Sequence, residues 1–160
     1  MSLNQYITKD GMEKLQKRIN FLMNEDRPDM LRALVHAREM GDLSENAEYK
    51  AARERQRSID SEIDHLRRRA ASLKVIDTAT FPKDMVRFGL YCLAEEIDTE
   101  NQQWYRVVGV DELNFHQEEG VMAVSVAAPV GQALLGKKPG ETAVVKAPRG
   151  ERKLKILEIK

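Results

Sequence analysis

Two carboxylates three residues apart, Asp42 and Glu45, stand in the stretch G-D-L-S-E-N-A-E-Y at 41–49. Carboxylate oxygens are hard ligands. They suit magnesium, which keeps several of its waters and takes only one or two protein carboxylates. Two such groups alone hold magnesium weakly, so a partner already holding phosphates and another metal would have to complete the site. The same acids have a plainer use near a helix N-terminus, where the helix dipole favours each by about 0.3–1 kcal/mol. Residue types alone leave both readings open. Ser44 or Asn46 can cap the helix that follows.

Basic residues crowd behind this stretch. Arg38 precedes it, and Lys50, Arg53, Arg55 and Arg57 follow. Lys50, Arg53 and Arg57 fall on one helical stripe, which suits a row of phosphates. The alternative is a solvated flank making pairs four residues apart with Glu45, Glu48, Glu54 and Asp60. The whole chain carries 26 basic and 26 acidic residues. A non-specific binder of duplex DNA needs a basic excess. Any role on nucleic acid therefore runs through a protein partner or a local patch.

Little else offers chemistry. His36, His65 and His116 are far apart in sequence, and Asp64 beside His65 does not face it on a helix. There is no nucleophile–base spacing and no glycine-rich phosphate loop, which argues against a self-contained enzyme. Cys92 is the single cysteine. It lies in the apolar run Gly89–Leu93, reads as a buried core thiol, and excludes an internal disulfide. No apolar run approaches the roughly 20 residues that span a membrane. The first residues carry no basic and apolar pattern of a secretory signal. The expected location is the cytoplasm.

The elements that must position the acids differ between the two halves. Residues 9–75 contain one proline, Pro28, and two glycines, Gly11 and Gly41. Residues 76–160 contain the other four prolines and seven glycines. The boundary falls near Ile76–Lys83, giving units 1–77 and 78–160. Thr8 is a candidate cap for a helix whose apolar face is Met12, Leu15, Ile19 and Leu22. Pro28 predicts a kink or short break. Periodicity resumes with Met30, Ala33, Leu34 and Ala37 until Gly41 ends the helix. Beyond it Ala52, Ile59, Leu66 and Leu73 recur every seven residues, with Gln56, Ile63 and Ala70 between them, an a/d seam. One helix cannot bury a seam alone. An antiparallel coiled-coil hairpin turning at 40–45 is the simplest solution, with a homodimer as the competing one. Arms of roughly 30 residues at about 1.5 Å each make a rod of about 45 Å.

The second half predicts strands at Met85–Ala94, Trp104–Gly109, Val121–Val126, Thr142–Lys146 and Lys153–Ile159, with one short helix over Pro129–Leu135. The fold class is α+β: a helical hairpin followed by a small antiparallel sheet with one helix against it.

Several motifs carry a family resemblance. Arg27-Pro28, the run H-A-R-E-M-G-D-L-S-E-N-A-E-Y-K-A-A-R-E-R-Q at 36–56, I-T-K-D-G-M-E-K-L at 7–15 and K-V-I-D at 74–77 closely resemble the GreA/GreB transcription elongation factors, with a lean towards GreA. Y-R-V-V-G at 105–109 and A-L-L-G-K-K-P-G-E at 133–141 resemble that family's C-terminal motifs. The resemblance implies a hairpin that enters the secondary channel of bacterial RNA polymerase and an FKBP-like C-terminal domain that docks outside. It implies that Asp42 and Glu45 help hold the polymerase's second magnesium, that Ser44 orders the tip, and that the chain has no cofactor of its own. Arg38, Lys50 and Arg53 match basic residues facing the 3′ end of backtracked RNA, and Arg57 extends their stripe. The factor is expected to act as a monomer. Polymerase then cuts the RNA, by two-metal hydrolysis with a ligand donated in trans. The alternative is a channel-binding regulator that inhibits or competes without stimulating cleavage. Residues 122–130 read M-A-V-S-V-A-A-P-V where the family commonly carries I-S-x-x-S-P, a departure that falls on the docking domain.

Overall fold

A computed structural model describes residues 3–41, 46–115 and 118–160. The chain divides into two compact units, one of residues 13–72 and one of residues 1–12 with 73–160.

The first unit is the hairpin. Helix α1 (Lys9–Phe21) leads through a π-helical turn at Leu22–Asp26 into α2 (Arg27–Glu39), and α3 (Ala47–Ser72) returns. Pro28 sits in the first turn of α2. It has no N–H for the carbonyl four residues back, and its ring crowds that carbonyl. The wider π turn absorbs the misfit without a loop. Met30, Leu34 and Ala37 of α2 are buried, as are Ala52, Ile59, Ile63 and Leu66 of α3. The a/d seam is thus covered within one chain. Ion pairs cross the hairpin from Arg55 to Asp26 (2.6 Å) and Asp29 (3.0 Å), from Arg27 to Asp60 (3.0 Å) and from Arg18 to Glu62 (2.9 Å). Numbers rise on one arm as they fall on the other, as antiparallel arms require. These pairs are largely exposed, so each contributes about 0–1 kcal/mol and the apolar seam dominates.

In the second unit, β1 (Tyr6–Thr8) pairs in parallel with β2 (Lys74–Ile76). A five-stranded sheet follows in the order β5-β4-β3-β7-β6. Its strands are β3 (Tyr91–Glu96), β4 (Gln102–Val108), β5 (Val121–Ser125), β6 (Thr142–Ala147) and β7 (Gly150–Ile159). Short helices α4 (Val110–Leu113) and α5 (Pro129–Leu134) interrupt it. Cys92, Tyr105, Val107, Leu134, Leu154 and Ile156 lie in its core. Burial pushes the Cys92 thiol up to about 12, so it packs as an apolar group.

All five expected strands exist, but the sheet is mixed. β4 and β5 run parallel, with Trp104 opposite Val121. The first expected strand begins later, at Tyr91. Val86, Phe88 and Leu90 alternate into the core as strand residues do. Their backbone turns instead, with Leu90 N–H donating to Arg87 O (3.1 Å).

Candidate functional site at the hairpin end

Asp42, Ser44 and Glu45 lie outside the described residues. The end of α2 and the start of α3 frame them. Helix α2 ends at Glu39, and Gly41 has φ +114°, a conformation that strains any side chain. On the far side Asn46 caps α3. Its Oδ1 accepts from Tyr49 N–H (3.0 Å), and its carbonyl accepts from Lys50 N–H (3.1 Å). Of the two candidate caps, Asn46 occupies the position. Its Nδ2 also donates to Ala37 O on α2 (2.7 Å).

The basic residues separate into two groups. Arg55 is taken by Asp26 and Asp29, and Asp60 by Arg27, so these charges stitch the hairpin. Hydrogen bonds from Arg55 lower the Asp29 carboxyl below its ordinary range. Lys50 and Arg57 are exposed and have no ion-pair partner among the described residues. Arg53 is half-buried and donates to Gln56 Oε1. The Arg38 guanidinium stands 6.0 Å from the Tyr49 ring centre, at the outer limit of a cation–π contact. The stripe of Lys50, Arg53 and Arg57 therefore remains available to an anionic ligand, whereas Arg55 does not.

A second polar cluster, invisible in the sequence, lies in the sheet unit. Arg106 is 3% exposed and forks onto Asp10 through Nη1 (2.9 Å) and Nη2 (3.0 Å). Its Nε donates to Gly89 O (2.9 Å), and Glu112 (3.3 Å) and Glu118 (3.7 Å) approach Nη1. Glu112 is 2% exposed and accepts from Thr8 N–H (3.0 Å). The Thr8 hydroxyl lies between Asp10 Oδ1 (2.8 Å) and Glu112 Oε2, and its one proton serves one of them at a time. Thr8 Oγ1 accepts from Gly11 N–H (3.2 Å), so Thr8 caps α1 as its sequence position suggests. A Cβ on Gly11 would meet the Glu112 carboxyl at 2.5 Å, which is why that turn needs glycine. Burial, then the hydrogen bond to Glu118, raises the Tyr91 hydroxyl to about 12.

Arg106 also holds the Asp10 carboxyl well below its ordinary value of 3.8. The unfolded chain therefore binds more protons than the folded one between the two values, and stability rises with pH through that window. The contribution is complete above the ordinary carboxylate range and fades as pH falls below it. Asp10→Asn should lower stability at neutral pH and flatten the acid limb, converging on wild type at the acid extreme. Urea unfolding followed by the single tryptophan, Trp104 on β4, measures this unit. An unchanged acid slope would show that the pair contributes nothing.

The described fold is a helical hairpin joined to a curled mixed sheet. The family model for the N-terminal part of the transcription elongation factors GreA and GreB matches residues 5–75, and the model for their C-terminal part matches residues 81–160. The chain therefore belongs to the GreA/GreB family of transcription elongation factors. It is 39% identical to transcription elongation factor GreA of Baumannia cicadellinicola, over 96% of this chain and 95% of that one. It is 41% identical to GreA of Halorhodospira halophila, over 96% of each. Among solved structures, transcription factor Gfh1 of Thermus thermophilus matches over 97% of each chain at 22% identity with a TM-score of 0.43. That likeness is too loose to add to the elements described above. Among the described residues no helix is long and apolar enough to cross a membrane.

Proposed function

We propose that the chain inserts its hairpin into the secondary channel of bacterial RNA polymerase and stimulates the polymerase's own cleavage of backtracked RNA, releasing arrested complexes. The observation that carries this reading is the place of Asp42 and Glu45 in the chain, within the connection between α2 and α3. An acid pair on the connection between two packed helices can reach a recessed site that a compact domain cannot enter.

In this reading the polymerase is the catalyst. The chain is an accessory factor, acting as a monomer with no cofactor of its own. Asp42 and Glu45 offer carboxylate oxygens to the polymerase's second magnesium, and hard oxygen donors fit that ion. Bound magnesium supplies Lewis acidity and a more acidic water. Ser44 orders the acid-bearing connection. Arg38, Lys50, Arg53 and Arg57 meet the phosphates of the RNA 3′ end. Two carboxylates alone hold magnesium weakly, so in this reading the acids at 42 and 45 depend on ligands and phosphates that the polymerase complex supplies.

Purified protein incubated with RNA alone should leave it intact. With polymerase halted in a backtracked complex and magnesium present, it should release short 3′ fragments. Cleavage by the protein alone would overturn the reading.

The altered segment at 122–130 favours a second reading, a channel binder that inhibits or competes without stimulating cleavage. It spans β5 and the start of α5, where Ser125 Oγ accepts from Ala127 N–H (3.1 Å). Comparing rescue of arrested complexes with inhibition of initiation separates the two readings.

A further inference from the structure

Asn46 makes two side-chain bonds of different kinds. Oδ1 accepts from Tyr49 N–H at the start of α3, and Nδ2 donates to Ala37 O near the end of α2. Helix ends leave N–H groups at the start and carbonyls at the finish without intrahelical partners. This one side chain serves one of each. Ala37 O also accepts from Met40 N–H (3.2 Å), so both its lone pairs are used. Ala37 itself is 1% exposed and belongs to the hairpin seam. The bond to it therefore ties the cap of α3 to the packed interior, not to a surface side chain.

Asn, Asp and Ser cap helices about equally well. Of the three, only Asn carries its acceptor and its N–H donor on separate atoms, which the geometry here requires. Capping alone does not account for the amide. Ala37 and Asn46 are also the two points between which the chain passes through Asp42 and Glu45. Fixing both ends of a connection reduces what must be ordered when its side chains bind.

We propose that Asn46 is a positioning residue for transcript cleavage. Its amide fixes the ends of the acid-bearing connection, so that Asp42 and Glu45 meet the polymerase's metal at a reduced ordering cost. This inference rests on the reading under Proposed function.

The test uses the full-length protein on a backtracked complex, with the factor and magnesium titrated separately. Asn46→Asp is isosteric and keeps an oxygen for Tyr49 N–H, but cannot donate to Ala37 O. Asn46→Ser keeps a cap and removes the amide. For both variants the maximal cleavage rate should fall about tenfold, the scale of one lost hydrogen bond. The magnesium requirement should rise, while the factor concentration giving half the effect stays at the wild-type value. Helix content should stay close to wild type for Asn46→Asp, which keeps the cap, with the thermal midpoint lowered only modestly by the lost bond to Ala37 O. A wild-type maximal rate in both variants would overturn the inference. So would a higher half-saturating concentration with the maximal rate retained, because Asn46 would then serve binding. If wild type is active and Asp42→Asn is inactive while the Asn46 variants match wild type, the inference alone fails. If wild type itself stimulates no cleavage, the functional reading fails and takes the inference with it.

Discussion

Replacing Arg106 by methionine should destabilise the sheet unit by about 3–5 kcal/mol, the usual cost of removing one partner from a buried ion pair. Arg106 is 3% exposed and Glu112 is 2% exposed, so the loss leaves a carboxylate with no cation and little water. Gly89 O also loses a donor, and Asp10 loses both arms of its fork. Methionine fills much of the volume, so the loss is chiefly electrostatic. Denaturant unfolding followed by Trp104 fluorescence measures it. Adding Glu112→Gln should recover part of the loss, because an amide needs no cation. A change below about 1 kcal/mol in the single variant, the scale of a surface pair, would show that the cluster is not a buried pair in solution. The same cluster holds Thr8 and Asp10, so the start of the chain is part of the sheet unit's chemistry.

This cluster marks where reading the sequence stops. Arg106 sits in Y-R-V-V-G, where a charged residue reads as a strand residue facing solvent. Its carboxylate partners Asp10, Glu112 and Glu118 are 96, 6 and 12 residues away, and no local pattern joins them. Glu112 reads as one more acid in a charged chain. The β1–β2 pair escaped because each strand has three residues, too few to show alternation. The direction of β5 escaped because alternation does not encode it. The strand expected from Met85 begins only at Tyr91, although burial alternates through Val86, Phe88 and Leu90 as in a strand. Gly89 at φ +80° breaks the extended backbone before Tyr91.

The hairpin was more legible. Heptad spacing named Ala52, Ile59, Ile63, Leu66 and Leu73, which are buried, but Gln56 and Ala70 are only half-buried and Ala33 of α2 is exposed. Gly41 marked the end of α2. The cap at Asn46 was one of two named options, but its bond to Ala37 depends on how the arms pack, which spacing does not give. Pro28 signalled a break, and the answer was a π turn because packing on both sides keeps the chain helical. The stripe of Lys50, Arg53 and Arg57 was readable from spacing. That Arg55 is excluded from it was not, since its partners Asp26 and Asp29 lie on the other arm.

The second large effect concerns the acids themselves. Asp42→Asn removes a carboxylate charge while keeping size and polarity. If the acid served only the helix dipole, the change would cost no more than about 1 kcal/mol of stability and leave cleavage untouched. If it serves the polymerase's metal, cleavage falls on the order of a hundredfold, as when one preorganised electrostatic contact leaves an active site. Glu45→Gln should behave alike. Losing both acids should cost little more than losing one, since a site missing either ligand already fails. Polymerase binding should persist in all three variants.

The most direct measurement is the rate of 3′-fragment release from a backtracked polymerase complex at saturating factor, wild type beside Asp42→Asn. Rapid, magnesium-dependent release is expected with wild type. With the variant, release should drop to the polymerase's unassisted rate while its competition with wild type for polymerase is retained. Release at the wild-type rate with Asp42→Asn would contradict a metal-ligand role for Asp42.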